Sequence, residues 1–204
     1  KVKSTVINNS FPSQEFIEHN VNTKKIKFVW FSQNIAQGRG LEQILPVLNE
    51  FSNKVELHLI GNLYADFKTK CIDRYTEFIT VHSPRSQTEL NHMLSQYDVG
   101  LALELKSDDY NRQICLTNKI WAYLQAGLYI LATDTPAQKK FIAQHQKNGI
   151  ISSLSKNALR KNIEHILNNK IQIRNQKTKR FTHAKQFSWE EEQKKLKDIL
   201  RNKK

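Results

Sequence analysis

Residues 26–48, IKFVWFSQNIAQGRGLEQILPVL, decide how the rest of the chain is read. IKFVWF (26–31) is a short apolar run without clean alternation, the mark of a strand buried on both faces. A polar loop with two glycines follows, SQNIAQGRG (32–40). LEQILPVLNEFS (41–52) then sets Leu41, Ile44, Leu45, Leu48 and Phe51 at helical spacing. Pro46 lies inside that pattern and predicts a kink or an early break. The unit is strand, glycine loop, helix.

Working outward, the same alternation recurs. KVELHLIG (54–61) reads as a second strand, residues 63–76 as an amphipathic helix, FITVHS (78–83) as a third strand and TELNHMLSQY (88–97) as a helix. DVGLALEL (98–105) is a fourth strand, followed by a polar loop (106–113). TNKIWAYLQAG (117–127) is a helix with Thr117 as N-cap and Gly127 as its stop. LYILATD (128–134) is a fifth strand; Pro136 opens the next helix, and NGIIS (148–152) is a sixth strand. Helices are expected over 155–168 and 170–202. Alternation of this kind with short connections predicts an α/β fold, a doubly wound parallel six-stranded sheet of Rossmann-like type. Residues 1–25, polar and Asn/Ser-rich, read as a linker and entry segment with a short strand at Val2–Ile7. Residues 26–168 form the Rossmann-like domain, and 169–204 the C-terminal helices.

Composition narrows the function. A chain of 204 residues, 39% apolar and 25% charged with three Trp, ten Phe and six Tyr, can bury a core and is not disordered. No apolar run reaches the ~18 residues of a membrane span. No signal peptide is visible, and the chain opens on Lys1 rather than Met, as a processed product or a piece of a longer protein would. Cys71 and Cys115 stand alone, which excludes a disulfide scaffold, argues against zinc and fits a reduced cytoplasmic setting. The seven His show no metal spacing on one face, and no GxSxG elbow is present. Neither metal nor cofactor is called for. Of the net charge of +13, residues 156–204 carry 15 Lys and Arg against 5 Asp and Glu. Without aromatic interleaving or a groove-reading motif, this basic region argues against nucleic acid. It reads as a solvated helical face or a peripheral contact with an anionic membrane surface.

In a doubly wound sheet, ligands bind at the carboxyl ends of the strands. That restricts the candidates to the loops 32–40, 61–63, 82–87, 105–117 and 133–136. Gly38, Arg39 and Gly40 precede a helix; the glycines permit close backbone approach, the helix start favours an anion, and the Arg fork can grip a phosphate. The pattern is neither GxGxxG nor a Walker loop. Thr117, Asn118 and Lys119 open a second helix on the same edge and offer a second anion site. Two such helix starts suit a ligand with more than one phosphate.

These segments together carry a resemblance. FVWFSQNIAQGRGLEQILPVL with VELHLIG, ITVHS, ELNHMLSQYDVGLAL and LTNKIWAYLQAGLYILATD resembles the C-terminal, nucleotide-sugar-binding domain of GT-B glycosyltransferases, in the retaining, family-4-like group. VINNSFP resembles the interdomain linker of that fold, and FSWEEEQKKLKDIL its last helix, which crosses back to the N-terminal domain. The resemblance implies transfer of a sugar from a nucleoside diphosphate to an acceptor, in surface-polysaccharide synthesis, by a hexosyltransferase-type enzyme. It also implies a missing N-terminal domain that holds the acceptor and any catalytic acid or base, so the isolated chain is expected to be inactive.

Residue by residue the match is uneven. Arg39-Gly40 falls where the family carries a Lys-Gly pair gripping the donor diphosphate, while the partner cation position falls on the uncharged Asn34. The base and ribose side falls on Gly61, His82 and Ser83. The family's two acids, one touching the sugar and one the ribose hydroxyls, fall on Ile114 and Ala122. Each hydrogen bond to a charged group is worth about 1.5–3 kcal/mol. Either another acid, such as Glu104 or Asp108, takes over, or donor binding is weak, or the domain is a degenerate, non-catalytic one. An unrelated Rossmann-type sensor is favoured by charge alone.

Overall fold

A computed structural model describes residues 5–105 and 110–201, the side chains of Tyr110 and Arg112 apart. Its strands are β1 Ile26–Ile35, β2 Val55–Leu63, β3 Ile79–His82, β4 Val99–Ala102, β5 Tyr129–Thr133 and β6 Gly149–Ser152. Its helices are α1 Leu41–Asn49, α2 Ala65–Phe67, α3 Gln87–Leu94, α4 Tyr110–Ile114, α5 Asn118–Gln125, α6 Pro136–Gln144, α7 Lys156–Asn168, α8 Lys170–Asn175, α9 Lys177–Ala184 and α10 Trp189–Arg201. All strand pairs are parallel, in the order β3-β2-β1-β4-β5-β6. The sheet is therefore the α/β, doubly wound one expected.

Successive strand residues feed two cores, as the pleat requires. Ile26, Phe28 and Trp30 of β1 join Val55, Leu57, Leu59, Val99 and Leu101 on one face, where α1 and α7 pack. Val29, Ile60, Ile130 and Ala132 face the other way, onto Trp121, Tyr123, Phe141 and Phe181. Burial on both faces is why β1, β4 and β5 read as apolar runs rather than alternating ones, whereas the edge strand β3 exposes Thr80 and Val81.

Several expected elements differ. β1 extends four residues past the apolar run, because Asn34 and Ile35 pair with Asn62 and Leu63 beyond an irregularity after Phe31. α1 runs through Pro46 unbroken; it buries Ile44, Leu45, Val47 and Leu48, and that packing offsets the one lost backbone bond. The helix expected over 63–76 is a single α turn followed by a π segment, Lys68–Ile72, that places Phe67 and Ile72 in the core five residues apart. The long helix expected over 170–202 is broken into α8, α9, a 3₁₀ turn at Lys185–Phe187 and α10. No strand forms over residues 5–7, and residues 1–4 lie outside those described.

The entry segment is bound to the chain's end. Phe11 exchanges backbone bonds with the Gln125 amide (2.9 and 2.7 Å), and its carbonyl also accepts the Trp189 N–H at 3.0 Å. Asn8 donates twice to the buried Glu192 carboxylate at 3.0 and 2.9 Å. Carboxylates in the first turn of α10 thus hold residues 8–13 against its positive end. Among the described residues no helix is long and apolar enough to cross a membrane.

Candidate functional site

β1 and β4 are neighbours from which the chain departs in opposite directions, so the crevice opens between the loops that follow them. Gly40 brings those loops together. Its φ is +84°, and a Cβ there would stand 2.9 Å from Cβ of Leu103, just after β4. Only glycine meets both demands. Gly38, also at positive φ (+74°), has open space where its side chain would be.

On the β1 side, Arg39 is partly exposed and makes no hydrogen bond or ion pair among the described residues. Asn34 lies within β1, in register with Asn62, rather than in the loop. On the β4 side, Thr117 is the backbone N-cap of α5, but its hydroxyl does not cap: Oγ1 is buried without a partner. The capping bond expected from sequence is therefore absent. Asn118 accepts from Asn9 Nδ2 at 2.7 Å, so its amide is engaged with the entry segment. Lys119 lies over the rings of Trp30 and Phe31, at 5.3 and 6.0 Å. The first-turn N–H groups of α5 lack intrahelical partners by geometry.

Glu104, two residues past β4, is 8% exposed and donates its N–H to Thr133 Oγ1 at 2.9 Å. Burial, with the Glu104 charge adding to it, holds the Tyr123 hydroxyl well above the usual tyrosine pKa. An acid thus does stand at this edge. Asp108, the other substitute, lies outside the described residues. Ala122 is fully buried in the apolar cluster of α5, and Ile114 is exposed at the end of α4.

The outer part of the edge is arranged differently from expectation. Gly61 is not in a loop: β2 continues to Leu63, and Gly61 (φ +147°) is needed because a Cβ there would lie 2.0 Å from the Ser32 carbonyl oxygen. His82 ends β3 and Ser83 is exposed beside it. The His82 ring stacks on His58, with Nε2 2.9 Å from His58 Nδ1. One of the two nitrogens must donate and the other accept, so at least one ring is neutral. Burial first, and the facing ring second, keeps the His58 pKa below the usual value; burial and Arg85 do the same to His82. β3 lies two strands from β1, about 10 Å away.

Sequence reasoning missed Glu42. Its Oε1 accepts the Gly38 N–H from the first turn of α1, placing a carboxylate where an anionic ligand would sit. An acid four residues after a loop glycine, at a helix start, is the signal that marks it. Glu42→Gln is expected to raise affinity for a phosphate-bearing ligand at this loop about two- to fivefold, the worth of a charge of about 0.3–1 kcal/mol at a helix start. Calorimetry with equal affinities would show that the ligand does not meet this end of α1.

No family model matches the sequence, and no curated protein matches it. Solved structures do. Sucrose-phosphate synthase from Thermosynechococcus elongatus matches with a TM-score of 0.71 at 13% identity, over 96% of this chain and 51% of that one. Anabaena Alr3699/HepE in complex with UDP matches at 0.70 and 13%, over 97% and 57%. WaaG, a glycosyltransferase involved in lipopolysaccharide biosynthesis, matches at 0.62 and 12%, over 81% and 44%. The chain spans about half the length of these structures. Its fold is that of a GT-B glycosyltransferase C-terminal domain. At these identities the likeness is one of fold.

Proposed function

We propose that this chain is the donor-binding domain of a glycosyltransferase that moves a sugar from a nucleoside diphosphate to an acceptor. The observation that supports the reading is that Gly40, before α1, abuts Leu103 after β4, while Lys119, in the first turn of α5, lies over Trp30 and Phe31 of β1. A neighbour of the same fold is solved in complex with UDP. In the reaction a diphosphate leaves an anomeric carbon, and preorganised positive charge at that point lowers the barrier. Arg39, the N–H groups of α5 and Lys119 supply it; Asn34 and Gly40 shape the same side. Gly61, His82 and Ser83 would line the base and ribose, and Glu104 would take the role of the acids absent at Ile114 and Ala122. The acceptor would be held by an N-terminal domain. The setting would be surface-polysaccharide synthesis on the cytoplasmic side, with the basic last quarter in peripheral contact with the inner membrane face.

Arg39→Ala is expected to weaken UDP binding by about 1.5–3 kcal/mol, roughly 10- to 150-fold, with the melting temperature unchanged. Equal affinity in calorimetry would remove Arg39 from the site. A second reading, a nucleotide-sugar-binding domain without catalysis, draws on Ala122, whose full burial in apolar surroundings leaves no carboxylate at that place. UDP binding by a longer chain that includes an N-terminal domain, without UDP release from any nucleotide sugar, would favour it.

A further inference from the structure

At the amino edge of the sheet, opposite the crevice, a cavity of about 670 Å³ opens between α9 and the segment leading into β6. His145, Lys147, Gln176, Lys179, Arg180 and His183 line it. A second cavity of about 340 Å³ shares Lys147, Gln176 and Arg180 and adds Tyr129 and His165. Among the described lining residues there is no Asp or Glu.

The charge behind this wall is out of balance. Arg180 is 3% exposed; its Nε donates to the Gly127 carbonyl at 3.0 Å and Nη2 to the Ile173 carbonyl at 2.8 Å, while Nη1 has no partner. Lys177, 4% exposed, donates to the carbonyls of Ser95 and Tyr97. Among the described residues neither cation reaches a carboxylate, and Arg180 lies over the Tyr129 ring at 5.8 Å. The nearby acid Asp98 is occupied by Arg174 at 2.8 Å through two nitrogens. Buried charges are normally paired, and an orphaned guanidinium nitrogen in a native structure needs an explanation. Burial, foremost, pushes Lys177 down to about 8 and Arg180 to about 10, the direction an unmet anion would reverse.

We propose that this cavity is a binding site for a phosphate-bearing group, with Arg180 as its buried anchor and Lys147 and Lys179 closing over the anion. A guanidinium fork with two ammonium groups suits a multiply charged tetrahedral oxyanion better than a single carboxylate. The His145 and His183 rings stand beside them and can each offer an N–H donor. The site is separate from the crevice by the length of the strands, about 13–17 Å. It rests on none of the residues assigned to the donor.

The test is a titration of the 204-residue chain with inorganic pyrophosphate, followed by amide resonances. Saturable shifts are expected at Asn148, Gln176 and His183, distinct from any at Gly38 and Gly40. The exposed pair Lys147→Glu/Lys179→Glu should weaken the amino-edge response at least tenfold and leave UDP binding at Gly38 and Gly40 as in the parent. No response at the amino edge, or an equal one in the double variant, overturns the proposal. Failure of UDP to bind would strike the donor reading alone. Sedimentation with vesicles of 70% phosphatidylcholine and 30% phosphatidylglycerol, against phosphatidylcholine alone, assigns the source. Pelleting lost in the double variant and on adding pyrophosphate supports the site with a lipid headgroup as its ligand. Pyrophosphate binding without pelleting supports it with a soluble phosphate.

Discussion

Asp98→Ala is expected to cost about 3–5 kcal/mol of stability, the penalty for breaking a buried ion pair from one side. Asp98 is 1% exposed and sits just before β4. Its Oδ1 and Oδ2 accept from Arg174 Nε and Nη2, both at 2.8 Å, and Oδ2 also accepts the Lys27 N–H at 2.9 Å. Arg174 in turn donates to the carbonyls of Thr23 and Lys25, so one carboxylate links the starts of β1 and β4 to α8. Removing it leaves the Lys27 N–H unpaired. It also leaves three cations, Arg174, Lys177 and Arg180, with no acid among them. For a chain of this length the loss corresponds to a drop of roughly 6–20 °C in melting temperature. Asp98→Asn, which retains an acceptor but not the charge, should fall between the two. Urea unfolding in which Asp98→Ala stays within 0.5 kcal/mol of the parent, about the reach of a surface substitution, would show that the cluster is not a stability element.

The inner strands of this fold were legible because both faces of the sheet are covered there. The centres of β1, β4 and β5 are buried and apolar, and the order of strand and helix leaves one class of architecture. What was not legible lies where hydrogen bonding and not burial sets the element. Ser32, Gln33 and Asn34 continue β1 although they are polar, since partners on β2 extend to Leu63. The π segment hides because Phe67 and Ile72 are five apart, a spacing that a 3.6-residue template scores as noise. The break before α10 is fixed by Phe11, whose carbonyl takes the Trp189 N–H from 178 residues away in sequence, and no local pattern carries that.

At the site, glycine was the readable residue and charge was not. Gly38 and Gly40 stand at positive φ before α1, as a loop that approaches a ligand or a neighbouring strand requires. The same residue type misled at Gly61, where the missing Cβ makes room for the Ser32 carbonyl instead. Thr117 is a cap by residue type, yet its buried hydroxyl makes no capping bond. By its charge pattern the basic C-terminal quarter is expected to face solvent. Arg174, Lys177 and Arg180 instead turn inward onto backbone carbonyls and Asp98, because at an i, i+3, i+6 spacing they share one side of the path from α8 into α9. Net charge counts cations without saying which of them are buried.

The 204-residue chain on its own is expected to fold and to bind UDP, yet to release no UDP from nucleotide sugars. Folding follows from the structure: two apolar cores cover the sheet, and the entry segment is bound to α10 by Asn8 and Phe11. The absence of turnover follows from the proposed function. In that reading Arg39, Lys119 and the start of α5 hold only the leaving diphosphate, and the acceptor nucleophile has no residue here to orient it. Orientation in a bimolecular transfer is worth about 7–11 kcal/mol of barrier, which is about 10⁵- to 10⁸-fold in rate. A crevice open on one side also admits water, and in water the hold of Arg39 on a developing charge shrinks several-fold relative to an enclosed site. Diphosphate release from a panel of nucleotide sugars, with and without acceptor sugars, is the measurement. Adding a separately expressed N-terminal domain should restore it if the cleft needs two walls. Turnover by the chain alone, at a rate of 1 s⁻¹ or more as ordinary enzymes show, would mean that the acceptor is bound by residues of this domain. The exposed Asn111 and Ile114 of α4 would then be the first place to look for them.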